Sequence, residues 1–179
     1  MNEHLSFDTK AKIAENEKEN ASLKKNIHDL LSGDKILASR PIIIGKTPLS
    51  LAICGADTSL DLTITKSVVT KCLRPEIRDA EGRLVKKTGH GLTEAQLTES
   101  LNNIKTPMMI FKGSRENTLI AVTNLKDNLN REIIVSIELE QKENFHKVNK
   151  ITSVYGRKDF GLYYDRQLEN RQLLAINIE

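Results

Sequence analysis

The sequence predicts an α+β fold, with a long N-terminal helix followed by helices packed on one face of a mainly antiparallel sheet of about four or more strands. Residues 8–31 contain neither Gly nor Pro and are rich in Lys, Glu, Ala and Asn, which favours one long helix. A second strong helix signal lies at residues 92–104, and short apolar segments cluster after it. This order, helices first and then a run of strands, is typical of an α+β domain.

The length and charge limit the classes of protein. A chain of 179 residues fits one domain with an appendage, which we place at residues 41–179 and 1–34, respectively. The net charge of +3 and pI of about 8.8 give a mild basic excess, which permits a nucleic-acid partner without requiring one. No apolar run approaches the roughly 20 residues that span a bilayer, so no membrane association is expected.

Cysteine usage and the N-terminus indicate the compartment. Cys54 and Cys72 are the two cysteines of the chain, and Met1-Asn2-Glu3-His4 is polar and precedes no apolar segment. Without a signal peptide, a reducing, cytoplasmic setting is expected.

The N-terminal helix has apolar residues near heptad spacing. They are Ile13, Leu23, Ile27 and Leu30, while two Asn residues fill the missing seam positions. Two interpretations stay open: an amphipathic helix packing on its own or a neighbouring domain, or a coiled-coil contact in a dimer. Packing on a neighbouring domain or on a second chain would make this helix the contact to a protein partner or to a larger polypeptide.

The segment before the central histidine predicts short strands and a loop. Residues 42–44, 49–54 and 60–65 are predicted as strands, and residues 67–73 as a short helix. Residues 74–89 carry eight charged residues with one Pro and one internal Gly, and predict a mobile loop that leads directly into His90.

The helix after His90 has the clearest local signal. Thr93 as N-cap and Gln96 three residues later form a capping box, and Pro107 prevents continuation of the helix. Four strand candidates follow with polar turns between them, which favours an antiparallel meander. The four strands are predicted at residues 108–111, 119–122, 133–139 and 151–155. A short helix within residues 159–168 and a final strand at residues 173–178 follow them.

The candidate chemistry lies at His90 and at the end of the fourth of these strands. His90 is flanked by glycines and precedes a helix, where the backbone can approach an anion; the alternative is a surface histidine. Ser153 and Tyr155 lie two apart and so point to one face of a strand. They bind phosphate if that face is open, or are satisfied core groups if it is covered. Arg157 has the geometry for bidentate phosphate contact; a solvated turn residue is the alternative.

Further cations and one aromatic residue complete the candidate set. Lys66, Lys71 and Lys158 would extend a basic surface for nucleic acid, although lysines in loops are usually only solvated. Tyr163 could stack a base, or be half-buried packing in a short helix. No metal-ligand spacing is present, so no metal or other cofactor is expected.

The order of these segments carries a family resemblance. A Lys-bearing segment leads to Gly89-His90-Gly91-Leu92-Thr93, then to a helix, a Pro-Met-Met-Ile-Phe strand, and finally Val148 to Gly156, which contains Ser-Val-Tyr. Over about residues 59–178 this resembles the phage and mobile-element branch of the barnase/EndoU/colicin/RelE-like nuclease superfamily, found in polyvalent proteins and phage head proteins.

The resemblance implies a metal-independent endoribonuclease-like domain of toxin or effector type, with RNA as the partner. His90, Ser153, Tyr155 and Arg157 would be its catalytic residues, although the acid–base pair of the archetype is not evident and activity itself stays open. The alternative function is a non-catalytic binding protein of a phage or mobile element, such as an inhibitor of a host defence complex. A third interpretation is a structural accessory domain tethered by its helix.

Overall fold

The computed structural model describes residues 7–33, 39–86, 89–143 and 145–177, with the side chains of residues 7–16 and 86 left aside. The helices are α1 (Phe7–Leu31), α2 (Leu49–Ala52), α3 (Lys66–Leu73), α4 (Glu94–Asn103) and α5 (Phe160–Glu169). The strands are β1 (Ile42–Lys46), β2 (Asp61–Ile64), β3 (Ile77–Arg78), β4 (Leu84–Lys86), β5 (Met109–Lys112), β6 (Thr118–Lys126), β7 (Glu132–Glu143), β8 (His146–Arg157) and β9 (Leu173–Ile176).

Seven strands form one sheet in the order β1-β2-β8-β7-β6-β5-β9, and β3 and β4 form a separate two-stranded sheet. The run from β5 to β8 is antiparallel throughout, as the meander prediction required. Within the large sheet the pairing of β2 with β8 is parallel. It ends where Ile64 pairs with Ile151, so the second half of β8 continues beyond its neighbour on that side. The predicted α+β class with a mainly antiparallel sheet is confirmed.

Helices cover both faces of the sheet, so the prediction of a single covered face is wrong. Helices α1, α3 and α4 share one core with buried strand residues such as Ala121 and Val135. On the other face, α5 packs over Phe111, Val122 and Ile134. The reason is that the central strands carry apolar side chains on both faces, and the second apolar face also has to be removed from water.

Helix α1 is confirmed at its predicted position and packs on its own chain. Leu23, Ile27 and Leu30 are buried in the same core as α4 and β1, and Glu19 forms an ion pair with Lys105 at 2.6 Å. These seam residues are therefore covered within one chain. The seam position Ile13 lies outside the described side chains.

Two local predictions before His90 are wrong. Residues 49–54, predicted as a strand, contain helix α2. Of this segment only Leu51 is buried, while Leu49 and Ile53 are exposed. An apolar run this short does not distinguish the two states. The predicted loop at residues 74–89 contains the β3–β4 hairpin, closed by a turn in which Gly82 has a φ of +76°.

The capping box of α4 is confirmed. Thr93 Oγ1 accepts a hydrogen bond from the Gln96 backbone N–H at 3.1 Å, and the Gln96 side chain accepts one from the Thr93 N–H at 2.9 Å. The helix start is therefore fixed three residues after His90. The helix and strand predicted after β8 are also present, as α5 and β9.

Candidate active site

The backbone around His90 is bound to the end of α3. The N–H of His90 donates to the carbonyl of Lys71 at 3.1 Å, and the N–H of Gly91 donates to that of Arg74 at 2.9 Å. A Cβ at Gly89 would overlap the Arg74 carbonyl, and Gly91 has a φ of +67°. Glycine is therefore required on both sides of His90, which the flanking pattern had indicated.

The His90 ring is packed against the two hydroxyl residues of β8. His90 Nε2 and Ser153 Oγ are hydrogen-bonded at 3.1 Å. The ring centroids of His90 and Tyr155 lie 5.2 Å apart, with the planes tilted by 33°. Only 5% of His90 is exposed. The imidazole is thus held in one place, with its Nε2 atom directed at the Ser-x-Tyr segment.

The uncovered half of β8 explains how His90 reaches this position. Beyond Ile151 the strand has no β2 partner, and the Val154 N–H points instead at the sulfur of Cys72 in α3. Burial raises the pKa of the Cys72 thiol to about 11, and the hydrogen bond from Val154 only partly opposes this. The end of α3 and the residues around His90 therefore take the place of a neighbouring strand.

Arg157 lies at the end of β8, with its guanidinium over the ring of Tyr163. Its Cζ atom is 4.3 Å from the centroid of the Tyr163 ring. Its Nε is buried and lacks a hydrogen-bond partner within the described part of the chain. Tyr163 is half-buried beside Phe111 and Phe160, and burial, with a smaller effect of Tyr155, raises the pKa of its phenol.

An open groove of about 900 Å³ joins these groups. His90, Tyr155, Arg157 and Lys158 all line it, and Ser153 is connected to it through the hydrogen bond to His90. Its other walls come from the β3–β4 hairpin, the β6–β7 turn and the start of α5. They are Glu76, Arg78, Glu81, Gly82, Arg83, Leu84, Leu129, Arg131, Gly156 and Asp159.

The remaining predicted residues lie elsewhere. Lys66 lines a separate pocket of about 600 Å³ beside α3. Lys71 is exposed on α3 and contributes its backbone carbonyl, rather than its amine, to the placement of His90. Tyr163 is packed beneath Arg157, which fits the half-buried packing interpretation.

A buried ion network next to His90 was not predicted from the sequence. Arg131 donates to Asp127 Oδ2 at 2.6 Å and to Glu76 Oε1 at 2.9 Å, and Arg78 forms a further pair with Glu76. The only local signal is the spacing of four between Asp127 and Arg131 in the β6–β7 turn. Glu76 lies 55 residues from Arg131, so no sequence pattern connects the two.

The network also fixes the charge of its members. Burial alone would raise the pKa of Glu76, but the hydrogen bonds and charges of Arg78 and Arg131 outweigh burial and lower it. Arg131 has a raised pKa because its two carboxylate partners outweigh the effect of burial. Glu76 and Arg131 are therefore both ionised at neutral pH.

The cations that line the groove differ in whether they form ion pairs. Arg78, Arg83 and Arg131 are paired with carboxylates, whereas Arg157 and Lys158 have no ion pair among the described residues. The end of β8 can therefore attract an anionic group to the side of the groove that holds His90 and Tyr155.

The described residues contain no group of three or more His, Cys, Asp or Glu side chains that could hold a metal ion. In the same part of the chain, no helix has both the length and the apolar character to cross a membrane.

Fold and site together define a small α+β domain with a groove beside His90 at the end of the β7–β8 strand pair. The family model of the phage MuF C-terminal domain matches residues 83–179. That range covers more than half of the chain, and the chain belongs to this family. No curated protein and no solved structure gives a significant match.

Only some of the candidate residues lie within the range that the family model matches. His90, Ser153, Tyr155 and Arg157 lie inside it, whereas Glu76 lies before it, as do Lys66 and Lys71. The family supports the phage part of the predicted resemblance.

Proposed function

We propose that this phage domain is a metal-independent endoribonuclease of the toxin or effector type. The observation that carries the proposal is a groove lined by His90, Tyr155 and Arg157, in which the His90 ring contacts Tyr155 and is hydrogen-bonded to Ser153. Phosphodiester cleavage without a metal requires a base, an acid and a cation beside the phosphate, and an imidazole, a phenol and a guanidinium can fill these roles.

The reaction would proceed by transfer of the phosphodiester to the neighbouring 2′-oxygen. That oxygen attacks phosphorus, its proton passes to a base, and the bond to the 5′-oxygen breaks as an acid protonates the leaving group. Imidazoles titrate near neutral pH and can accept a proton there, whereas phenols stay protonated. We therefore assign the base to His90 and the acid to Tyr155.

The other groups would position the phosphate. Ser153 keeps the His90 ring in its orientation through the 3.1 Å hydrogen bond. The guanidinium of Arg157 is restrained by the face of Tyr163, so it loses little freedom when it binds a phosphate oxygen. Its buried Nε gains a hydrogen-bond acceptor if a phosphate oxygen reaches it.

The test is cleavage of labelled RNA by the purified chain in EDTA. We expect fragments with 2′,3′-cyclic phosphate ends. His90→Ala and Tyr155→Phe should each lower the rate by about a hundredfold or more, the usual share of a general acid or base. Circular dichroism of each variant checks that the fold is kept.

His146→Ala is the matched control, since His146 is exposed near the β7–β8 turn and away from the groove. It should cleave at the wild-type rate. RNA that stays intact at high protein concentration would contradict the enzyme and favour the non-catalytic binding alternative. Equal rates for His90→Ala and the wild type would show that cleavage comes from a contaminant or from another site.

A further inference from the structure

We infer that the RNA strand occupies a second anion-binding subsite, formed by Arg40, Lys66 and Arg74 beside α3 and here called the α3 pocket. The inference rests on the proposed function and concerns the substrate class, which would be a single strand several nucleotides long. The α3 pocket is separate from the His90 groove and has a volume of about 600 Å³, within the usual range of ligand pockets.

The side chains of the α3 pocket suit phosphate. Besides the three cations, its walls carry four hydroxyl groups, from Ser39, Thr65, Ser67 and Thr70. Thr65 and Ser67 are hydrogen-bonded to each other at 3.0 Å, which uses one of their two protons and leaves the other to donate outward. Basic and hydroxyl side chains together are the usual contacts to phosphate oxygens.

The charge balance of the α3 pocket is more one-sided than that of the His90 groove. Within the described part of the chain, its single acidic lining residue is Glu143. One carboxylate oxygen of Glu143 accepts from Lys150 at 3.2 Å and the other accepts from Thr63 at 3.2 Å. Arg40 and Lys66 have no ion pair among the described residues. Arg40 and Lys66 therefore attract anions with little neutralisation by neighbouring carboxylates.

The end of α3 lines the α3 pocket and also contacts the backbone beside His90. Arg74 lines the α3 pocket, and its carbonyl accepts the N–H of Gly91, the residue after His90. From Arg74 to Lys66 the helix axis covers about 12 Å at 1.5 Å per residue. A strand cleaved at His90 could thus continue along α3 with one or more phosphates in the second cavity.

The form of the strand follows from the proposed chemistry. In-line attack by the 2′-oxygen needs a sugar–phosphate backbone that can rotate, and an unpaired strand has that freedom. Contacts in the α3 pocket would be to phosphates, so they would add affinity without sequence preference and would weaken with salt.

The experiment compares two labelled oligoribonucleotides by fluorescence anisotropy, in the His90→Ala background so that no cleavage interferes. One is a dinucleotide that fills only the His90 groove, and the other has about twelve nucleotides, within known single-strand site sizes. Arg40→Gln combined with Lys66→Gln should weaken binding of the long strand about tenfold or more. The salt slope should fall by about 0.7 for each lost phosphate contact, and dinucleotide binding should not change.

Lys112→Gln is the control for loss of one positive charge and is matched to the single variant Lys66→Gln, because Lys112 is exposed on β5, away from α3. It should leave the binding of both strands unchanged, whereas Lys66→Gln should weaken binding of the long strand. An equal loss of long-strand affinity in Lys112→Gln and in Lys66→Gln would reduce the effect to net charge and overturn the inference. Equal affinities of the wild-type pocket and its variant for the long strand would overturn it too.

Two outcomes separate this inference from the proposed function. Long-strand binding that depends on Arg40 and Lys66, without any cleavage by the unmodified chain, would uphold the subsite and reject the enzyme. Cleavage by the unmodified chain, together with long-strand binding that does not depend on Arg40 and Lys66, would uphold the enzyme and reject the subsite. Displacement of the long strand by polyglutamate at the same charge concentration would assign the α3 pocket to acidic peptides and overturn its assignment to RNA.

Discussion

Gly156 lies directly against the carboxylate of Asp127. A Cβ at position 156 would overlap this carboxylate and come within 2.9 Å of Arg131 Nε. The absence of a side chain thus lets β8 pass over the ion network of the β6–β7 turn. The same close approach places the end of β8, with Tyr155 and Arg157, beside Arg131 in the groove.

Gly156→Ala should therefore destabilise the protein by about 1–3 kcal/mol, the cost of overpacking a buried contact. Asp127 and Arg131 are held by several hydrogen bonds and cannot move away freely. Urea unfolding followed by circular dichroism measures the loss. Gly161→Ala is the control, since a Cβ there meets no atom within 4 Å, and Ala in a helix should be neutral or stabilising.

Removal of Arg131 should be more costly. Arg131→Met leaves the carboxylates of Asp127 and Glu76, which are only 2% and 12% exposed, without their shared partner. Breaking a buried pair from one side typically costs about 3–5 kcal/mol. Arg83→Met removes the same functional group from an ion pair in which the arginine is 76% exposed, and should change the urea midpoint little. Equal midpoints for the two variants would contradict a structural role of the network.

Glu76 should make part of this stability depend on pH. Burial alone would raise its pKa, but Arg78 and Arg131 lower it overall. A carboxyl group with a lowered folded pKa stabilises the protein above its unfolded pKa of about 4.3 and loses that contribution as the pH falls through the folded value. The wild type should thus be more stable than Glu76→Gln at neutral pH, and the difference should shrink below about pH 4.

Urea titrations of both proteins at several pH values measure this difference. The other carboxyl groups are the same in the two chains, so the change in the difference reports Glu76. A gap that stays constant down to about pH 3 would contradict the assignment.

Cys72 should report the opening of the region around His90. Its pKa of about 11 and its burial leave almost no thiolate at neutral pH. Reaction with iodoacetamide should therefore require α3 to separate from β8, whereas the partly exposed Cys54 should react first. Mass spectrometry of the alkylated peptides gives both rates. Equal rates in the native protein would show that the contact between Cys72 and Val154 does not persist.

Local signals were sufficient for most of the fold. The capping box at Thr93 and the short apolar segments that form β5, β6 and β7 involve residues close in sequence, so their patterns can be read directly. The strand predicted at residues 49–54 was wrong because a short apolar run is compatible with both states. The cover by α5 was missed because both faces of the central strands are apolar, and such strands do not show which face receives a helix.

In the candidate site, too, the features with local sequence signals could be predicted, and the contacts between residues far apart in the chain could not. The glycines beside His90 and the Ser-x-Tyr spacing are visible in the sequence, but the contact between His90 and Ser153 joins residues 63 apart. Only the family resemblance suggested that pairing. The Glu76–Arg131 contact carries no motif and lies partly outside the family match, so only the folded structure could supply it.

The support of Arg157 by Tyr163 should contribute to RNA affinity. Tyr163→Leu keeps an apolar side chain in the second core but removes the ring beneath the guanidinium. A cation–π contact of about 0.5–1 kcal/mol corresponds to about a two- to fivefold weaker Kd for an oligoribonucleotide. Tyr163→Phe keeps the ring and should bind nearly as the wild type does, which separates stacking from any effect of the hydroxyl.

Anisotropy titrations in the His90→Ala background give these constants. A loss of affinity in both Tyr163 variants would assign the effect to the phenol oxygen. An unchanged Kd in both would show that Arg157 needs no aromatic support to bind phosphate.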